Sequence, residues 1–199
     1  KVLRRDGDDT LRQSYHDKMV EALGEDFEVS RIVDVGSSTG LSTNKLAETF
    51  PTAQSITGID LSPYMLAVAA LQNTDPRIDY VYGSGESMAP FLSGTVDLVS
   101  MCLVSHELPQ NAAVDIYSEV FNIMKSGGAF SIMDIDPDSE FFRKFRGNRF
   151  AYAGFKSTEP WLDEYCSMDL VSRLKCAGFR DISVAANSPR HRTVVAIKP

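Results

Sequence analysis

A run of small residues directly after an apolar segment is the pattern in this chain that most strongly indicates a ligand site. Residues 32–35 are apolar and favour a β-strand except at Asp34, residues 36–40 are small, and a helical apolar pattern begins at Leu41. This order predicts a buried strand, a tight turn and a helix N-terminus in succession. In open α/β sheets such a turn lies at the carboxyl end of a central strand, where ligands bind, so the segment predicts a nucleotide-like cofactor.

The spacing within this turn separates two classes of cofactor. The dinucleotide pattern Gly-x-Gly-x-x-Gly, counted from Gly36, requires glycine where this chain has Ser38 and Leu41. The pattern Asp-x-Gly-x-Gly-x-Gly, typical of S-adenosylmethionine (SAM) binding, is met from Asp34 to Gly40 except at Ser38, which is also small. A dinucleotide brings a pyrophosphate, whereas SAM carries an ammonium group that Asp34 can help to hold. An acidic residue in an apolar strand is costly without a partner, which argues against a turn that binds nothing.

Asp60 supports a nucleoside cofactor. It ends the second predicted strand, twenty positions after Gly40. A carboxylate at this place can accept hydrogen bonds from both hydroxyl groups of a ribose. Since SAM and NAD both carry a ribose, Asp60 does not distinguish between them.

Candidate catalytic side chains follow the predicted fourth and fifth strands. Methyl transfer from SAM is an in-line displacement in which the enzyme aligns the reactants, and an oxygen or nitrogen acceptor can also need a general base. His106 and Glu107 come after the fourth strand, near the expected methyl group, and a helix-capping or packing pair is the alternative. Asp134 and Asp136 follow the fifth strand and could bind a cationic acceptor or act as the base, although Asp136 also fits a turn before Pro137.

Further candidates lie away from the strand ends. Tyr15 lies on the first predicted helix and is a candidate catalytic residue or a core aromatic. Phe155 and Trp161 could wall an apolar acceptor pocket or belong to the core. The three basic residues from Arg190 to Arg192 could bind an acidic substrate or be solvated.

The composition is that of one ordinary globular domain. The chain has 199 residues, 43% hydrophobic and 24% charged, with a net charge of −7. An acidic chain argues against a nucleic-acid partner, whose phosphates require Lys and Arg. The basic cluster of Arg143, Lys144, Arg146 and Arg149 therefore fits a solvated helix face better.

Cysteine spacing and hydropathy indicate which metal, disulfide and membrane features to expect. Cys102, Cys166 and Cys176 are too few and too widely spaced for a disulfide framework or a metal site, so we expect no metal and a reducing, intracellular compartment. This expectation does not separate the cytoplasm from an organelle. No apolar run is long enough to span a bilayer.

Strands and helices alternate along the chain. Apolar runs predict strands at 32–35, 55–59, 78–82, 96–101 and 129–133, and two closing strands at 179–186 and 193–197. Helical patterns are predicted at 11–23, 41–50, 63–71, 110–125 and 168–177, while residues 136–160 are expected to be irregular or loosely helical. Continuous apolar strands that alternate with helices favour a doubly wound, Rossmann-like, mostly parallel seven-stranded α/β sheet with helices on both faces and the last strand antiparallel.

The motifs together resemble those of the class I SAM-dependent methyltransferases, and within them the small-molecule branch (methyltransferase type 11) that includes the ubiquinone and menaquinone biosynthesis type. The resemblance covers about residues 31–134. It rests on the segments 34–40, 58–65, 83–87, 96–108 and 124–128. It implies that SAM is the methyl donor, that S-adenosylhomocysteine is the product, and that the acceptor is a small organic molecule.

The resemblance also implies a set of cofactor-binding positions. One departs from the family pattern, because the family has Asp where this chain has Ser84, a weaker acceptor for the adenine amino group that Glu86 or the backbone near Gly85 could compensate. The segments 156–161 and 189–193 are similar to poorly characterised methyltransferases of plants and algae. The implied cofactor-binding residues are Asp34, Gly36, Ser37, Ser38, Gly40, Asp60, Leu61, Met65, Ser84, Gly85, Glu86, Met101 and Cys102.

We interpret residues 1–199 as a single domain. Residues 1–30 are an N-terminal lid helix, 31–135 the cofactor-binding core, 136–165 an insert on the substrate side, and 166–199 a helix with a strand pair. Two other functions stay open at this point: a module that binds SAM or S-adenosylhomocysteine without catalysis, and an NAD-dependent oxidoreductase. The identity of the acceptor and the oligomeric state do not follow from the sequence.

Overall fold

Seven strands of the described residues form one sheet, and this number agrees with the prediction; the order of the strands, which was not predicted, is β3-β2-β1-β4-β5-β7-β6. The computed structural model describes residues 5–88 and 94–199. β1 to β5 are parallel, and the closing pair is antiparallel: β7 pairs with β5, and β6 pairs with β7. The strands are β1 (Arg31–Val35), β2 (Ser55–Asp60), β3 (Ile78–Tyr82), β4 (Val96–Cys102), β5 (Met124–Ile135), β6 (Arg180–Ala186) and β7 (His191–Ile197).

Helices cover both faces of this sheet and bury an apolar cluster on each. Ile32 belongs to the cluster with Tyr15 and Leu46, whereas Val33, the next residue of β1, belongs to the cluster with Tyr117. Successive side chains of a strand point to opposite faces, so a strand buried on both sides is apolar at most of its positions. The helices of the described residues are α1 (Arg5–Leu23), α2 (Leu41–Thr49), α3 (Pro63–Gln72), α4 (Gln110–Ile123), α5 (Glu140–Gly147), α6 (Arg149–Lys156), α7 (Leu162–Ser167) and α8 (Leu170–Ala177), with a 3₁₀ turn at Ser105–Glu107.

Three element boundaries differ from the sequence expectations. α1 begins at Arg5 rather than after Thr10. α4 ends at Ile123 and β5 begins at Met124, earlier than predicted. Gly127 and Gly128 lie inside β5 because their backbone groups exchange hydrogen bonds with Lys198, at 2.7 and 2.9 Å, which extends the pairing with the chain's last residues.

The segment after β5 is more helical than predicted. Ser139 caps α5 by accepting a hydrogen bond from the backbone N–H of Phe142, at 3.1 Å. Asn148 caps α6 in the same way through the N–H of Ala151, at 3.2 Å. Side chains of these types satisfy N–H groups that have no partner within the helix, so two short helices can follow one another directly.

No helix of the described residues combines the length and the apolar character that crossing a bilayer requires.

The turn after β1 is built from left-handed backbone. Gly36 and Gly40 have φ angles of 71° and 83°, and Ser38 between them has φ 49°. A Cβ atom on Gly36 would lie 2.5 Å from a methyl group of Val104, so only glycine fits there. Ser38 takes the strained conformation that glycine adopts freely, which explains why the consensus pattern has glycine at this position.

We predict that Ser38→Gly is more favourable for stability than Thr39→Gly by about 1 kcal/mol. Both substitutions add the same freedom to the unfolded chain, but only Ser38 has a positive φ to relieve, while Thr39 does not. Thermal unfolding of the two variants beside the unsubstituted protein measures the difference. Equal losses of stability in both variants would show that the positive φ of Ser38 does not strain the backbone.

Candidate functional site

A cavity of roughly 450 Å³ opens at the carboxyl ends of β1, β2 and β4. The parallel register of these three strands brings their ends to one edge of the sheet. Six of the thirteen predicted cofactor-binding residues line this cavity: Gly36, Ser37, Ser38, Asp60, Met65 and Cys102. The fold therefore brings predicted residues from the turn, the second strand, α3 and the fourth strand to one cavity.

Asp60 connects the turn after β1 to the start of α3. Its Oδ2 accepts a hydrogen bond from the N–H of Ser38 and its Oδ1 accepts one from the N–H of Ser62, both at 2.8 Å. A carboxylate has about four lone-pair sites, so each oxygen can still accept a further bond from a ligand in the cavity. The position of Asp60 on the cavity wall fits the predicted contact with a ribose.

Asp34 lies beneath the turn rather than on the cavity wall. Its side chain is only 1% exposed, and its Oδ2 accepts a hydrogen bond from the Thr43 hydroxyl at 2.7 Å. Burial raises the pKa of Asp34 to about 6, and the bonds from Thr43 and Ser100 limit that rise. The carboxylate therefore attaches α2 to the end of β1, and it does not line the cavity in which a ligand would bind.

The remaining predicted cofactor residues lie outside the residues that line the cavity. Met101 is fully buried in the core. Ser84 and Glu86 bond to each other in the loop after β3, with 3.0 Å between the hydroxyl and the carboxylate. The full set outside the lining is Asp34, Gly40, Leu61, Ser84, Gly85, Glu86 and Met101.

Arg12 is a cavity residue that the sequence did not single out. It reaches the cavity from α1, and its Nε donates a hydrogen bond to the Ser42 hydroxyl at 3.2 Å. Its Nη1 is buried and has no hydrogen-bond partner in the described chain. Since a buried guanidinium nitrogen without a partner is costly, this donor is suited to an anionic group of a ligand. A single arginine on an amphipathic helix carries no sequence signal for such a role.

A second cavity of roughly 470 Å³ adjoins the first, since Leu103 and Glu107 line both. One wall is aromatic and comes from the two helices after β5, with Phe141, Phe142 and Phe145 on α5 and Phe155 on α6. The polar residues that line it are His106, Glu107, Glu159, Arg190 and His191. Of the predicted pocket aromatics, Phe155 lies at this cavity, whereas Trp161 does not.

His106 is held in one orientation by Asp134. Its Nδ1 lies 2.6 Å from Asp134 Oδ1, and its backbone N–H donates to Asp134 Oδ2 at 3.3 Å. Its Nε2 has no hydrogen-bond partner in the described chain. Although burial lowers the pKa of His106, the negative charge of Asp134 outweighs that effect, and the pKa lies above the ordinary value of 6.5. The arrangement presents a basic nitrogen to the second cavity.

Two glutamates approach this imidazole. Glu159 Oε2 lies 3.8 Å from His106 Nε2. One ligand atom each of His106, Glu107 and Glu159 lies within 4.8 Å of the others. Burial raises the pKa of Glu107, and the neighbouring charge of Glu159 adds to the rise. The cluster therefore concentrates negative charge where the two cavities meet.

Two predicted catalytic residues lie away from both cavities. Tyr15 is fully buried, and its hydroxyl bonds to the hydroxyl of Ser100 and to the carbonyl oxygen of Ser131, each at 3.0 Å. Asp136 accepts a hydrogen bond from the N–H of Asp138 and lies 3.7 Å from Arg192. These contacts give Tyr15 a packing role and Asp136 a turn role, so neither enters the candidate catalytic set.

Comparison with known proteins places this geometry in context. The model of a protein family described as "Methyltransferase domain" matches residues 33–132. The chain is 31% identical over 150 residues to an uncharacterized methyltransferase of Synechocystis sp., a match that covers 75% of this chain and 66% of that protein. The similarity to plant and algal proteins stays a prediction.

Two solved structures share the fold. A phosphoethanolamine N-methyltransferase of Haemonchus contortus in complex with SAM has a TM-score of 0.69 and 18% identity, and the match covers 92% of this chain and 52% of that one. A SAM-dependent methyltransferase from Aquifex aeolicus has a TM-score of 0.70 and 17% identity, with 94% and 93% covered. This chain therefore spans about half of the H. contortus enzyme and about two thirds of the Synechocystis protein.

Proposed function

Because this chain belongs to the methyltransferase-domain family, we propose that it transfers a methyl group from SAM to a small organic acceptor. The observation that carries the proposal is the pair of adjoining cavities, which share Leu103 and Glu107. The first cavity holds the residues suited to SAM. The second offers an apolar wall and a basic nitrogen to the acceptor.

The residues of the first cavity fit SAM. When bound, SAM supplies a methyl group already activated by its sulfonium. Arg12 offers its unpartnered Nη1 to the carboxylate of the amino-acid part. Asp60 accepts hydrogen bonds from the ribose hydroxyls, and Gly36, which lines the cavity without a side chain, lets the ligand approach the backbone closely.

The second cavity supplies the acceptor site in this proposal. His106 Nε2 removes a proton from the acceptor atom, and Asp134 holds the Nδ1–H tautomer that leaves Nε2 free to do so. A base oriented in this way, beside an acceptor held in line with the methyl group, contributes through proton transfer and alignment together. The aromatic wall keeps water away from the reacting atoms.

Transfer itself is tested with methyl-labelled SAM and mixtures of small amines, phenols, carboxylates and thiols. We expect S-adenosylhomocysteine to form together with an acceptor that has gained a methyl group. Calorimetric titration with SAM and with NAD accompanies the assay. Binding of NAD without binding of SAM would refute the proposal, and SAM binding without transfer to any acceptor would favour a module that binds SAM without catalysis.

We predict that Arg12→Ala weakens S-adenosylhomocysteine binding by about 10- to 100-fold, since hydrogen bonds to charged groups contribute about 1.5–3 kcal/mol. The same variant should bind methylthioadenosine normally, because this nucleoside lacks the amino-acid part. Asp60→Ala should weaken both ligands by at least about tenfold. Calorimetry measures each affinity.

Asp79→Ala serves as the control for Asp60→Ala, because Asp79 is exposed on β3. It should leave both affinities unchanged. Equal weakening of the two ligands by Arg12→Ala would show that Arg12 supports the cavity without touching the amino-acid part.

We predict that kcat/KM rises with pH through an apparent pKa above 6.5, because protonated His106 cannot accept a proton and its pKa is raised. Asp134→Asn removes the charge that raises this pKa, so the acidic limb should move to lower pH. His106→Gln should lower kcat by about 10²- to 10⁴-fold.

His191→Gln is the matched control, because His191 lines the same cavity and burial lowers its pKa. The acidic limb should persist in this variant. If the acidic limb disappeared in His191→Gln and persisted in His106→Gln, the base would be His191 and not His106.

A further inference from the structure

The acceptor cavity carries unbalanced negative charge at one place. Glu107 and Glu159 both line it, and neither carboxylate forms an ion pair with a lysine or arginine in the described chain. Asp134 adds a third carboxylate behind the His106 imidazole. Carboxylates this close to one another repel, so a cation bound between Glu107 and Glu159 would stabilise the cavity.

The positive groups of the cavity do not neutralise this cluster. Arg190 is exposed, and its guanidinium lies over the ring of Phe141 at 4.9 Å from the ring centre. Burial lowers the pKa of His191, which therefore favours its neutral form. His106 lies 2.6 Å from Asp134 and 3.8 Å from Glu159, so one imidazole faces three carboxylates and even its protonated form leaves the cluster with net negative charge.

His106 is an independent sign of a ligand at the cluster. His106 is only 7% exposed and lines the cavity, and its Nε2 lies 3.8 Å from Glu159 Oε2, which is too far for a hydrogen bond. In the neutral form, with the proton on Nδ1 beside Asp134, this nitrogen is an acceptor and can take a hydrogen bond from a donor. A protonated amine offers N–H donors to Nε2 and to both glutamates at once.

The opposite wall suits the same chemistry. Four phenylalanines surround the apolar part of the cavity. Phe142 and Phe145 have ring centres 6.0 Å apart, and Phe145 and Phe155 meet edge to face at 5.7 Å. Aromatic faces attract cations through their quadrupole, more strongly for a desolvated ammonium group.

We propose that the methyl acceptor is a cationic amine whose ammonium group binds between Glu107, Glu159 and His106 Nε2 and whose apolar body packs on the phenylalanine wall. The proposal rests on the methyl-transfer function proposed above and names its substrate class. An anionic acceptor would meet the repulsion of two glutamates at the reacting end. A neutral alcohol would leave the negative charge of the cluster unbalanced.

The reaction balances with these groups. His106 Nε2 takes one proton from the ammonium group, which leaves a neutral amine with a free electron pair. That pair forms the new N–C bond to the methyl carbon while the S–C bond breaks. The electrons of the S–C bond stay on sulfur, which leaves neutral S-adenosylhomocysteine. The product is again a cation that Glu107 and Glu159 can hold, and His106 returns its proton to water.

The test uses three probes that share a phenylethyl body: phenethylamine, 2-phenylethanol and 3-phenylpropionate. Each is titrated into protein loaded with S-adenosylhomocysteine, at a pH where the amine is protonated. We expect phenethylamine to bind at least tenfold more tightly than the alcohol, and the carboxylate to bind most weakly. Glu159→Gln should weaken phenethylamine about tenfold and leave the alcohol unchanged.

Glu140→Gln is the matched control, because Glu140 lies on α5 beside the phenylalanine wall but pairs with Lys144 in solvent. It should change none of the three affinities. Equal or tighter binding of the alcohol or the carboxylate, no binding of the amine, or equal weakening of all three probes by Glu159→Gln would each overturn the proposal.

Two measurements separate this proposal from its alternatives. The titrations are repeated with EDTA and with Zn²⁺, since the same three side chains could ligate a divalent ion; amine binding that requires the metal would overturn the proposal. Titration of SAM into the same samples tests the proposed function separately. Intact SAM binding without amine preference would remove only the acceptor assignment, whereas loss of SAM binding would remove the methyl-transfer function.

Discussion

The carboxylate of Asp134 fixes the position of His106, the residue proposed as the base. It lies near the end of β5, is 1% exposed, and accepts hydrogen bonds from the imidazole of His106 and from the N–H groups of His106 and Ile135. This contact is available only because β4 and β5 are parallel, so that the turn after β4 lies beside the end of β5. The orientation of the His106 imidazole therefore depends on the register of the sheet rather than on the turn alone.

At the first cavity, a strand-end carboxylate again holds a turn through backbone N–H groups. Asp60 ends β2 and accepts backbone N–H groups from the turn after β1 and from the start of α3. In both places a carboxylate at a strand end satisfies backbone donors of a neighbouring turn and fixes that turn in space. Asp34 differs, because it is fully enclosed and bonds a helix side chain instead, which explains why a residue of the motif lies off the cavity wall.

The sequence was sufficient for the parts whose signal is local. Apolar runs predicted β1 to β4 closely, and the turn and Asp60 predicted the first cavity, because strand, turn and helix follow one another directly in the chain. Arg12 and Glu159 were missed because each reaches its cavity from a distant segment through packing. Tyr15 looked catalytic by type, but only the fold shows that Ser100 and Ser131 satisfy its hydroxyl.

Leu103 shows why the boundary between the cavities also escapes sequence analysis. It lines both cavities and has a φ of 59°, a conformation that costs a bulky residue energy. Its N–H donates to the carbonyl oxygen of Met133 at 2.8 Å, a bond that holds the residue at the end of the sheet. Glycine would relieve the backbone strain but would leave no side chain where the two cavities meet. The strained backbone therefore keeps an apolar side chain at the boundary of the two cavities, beside Glu107, which lines both.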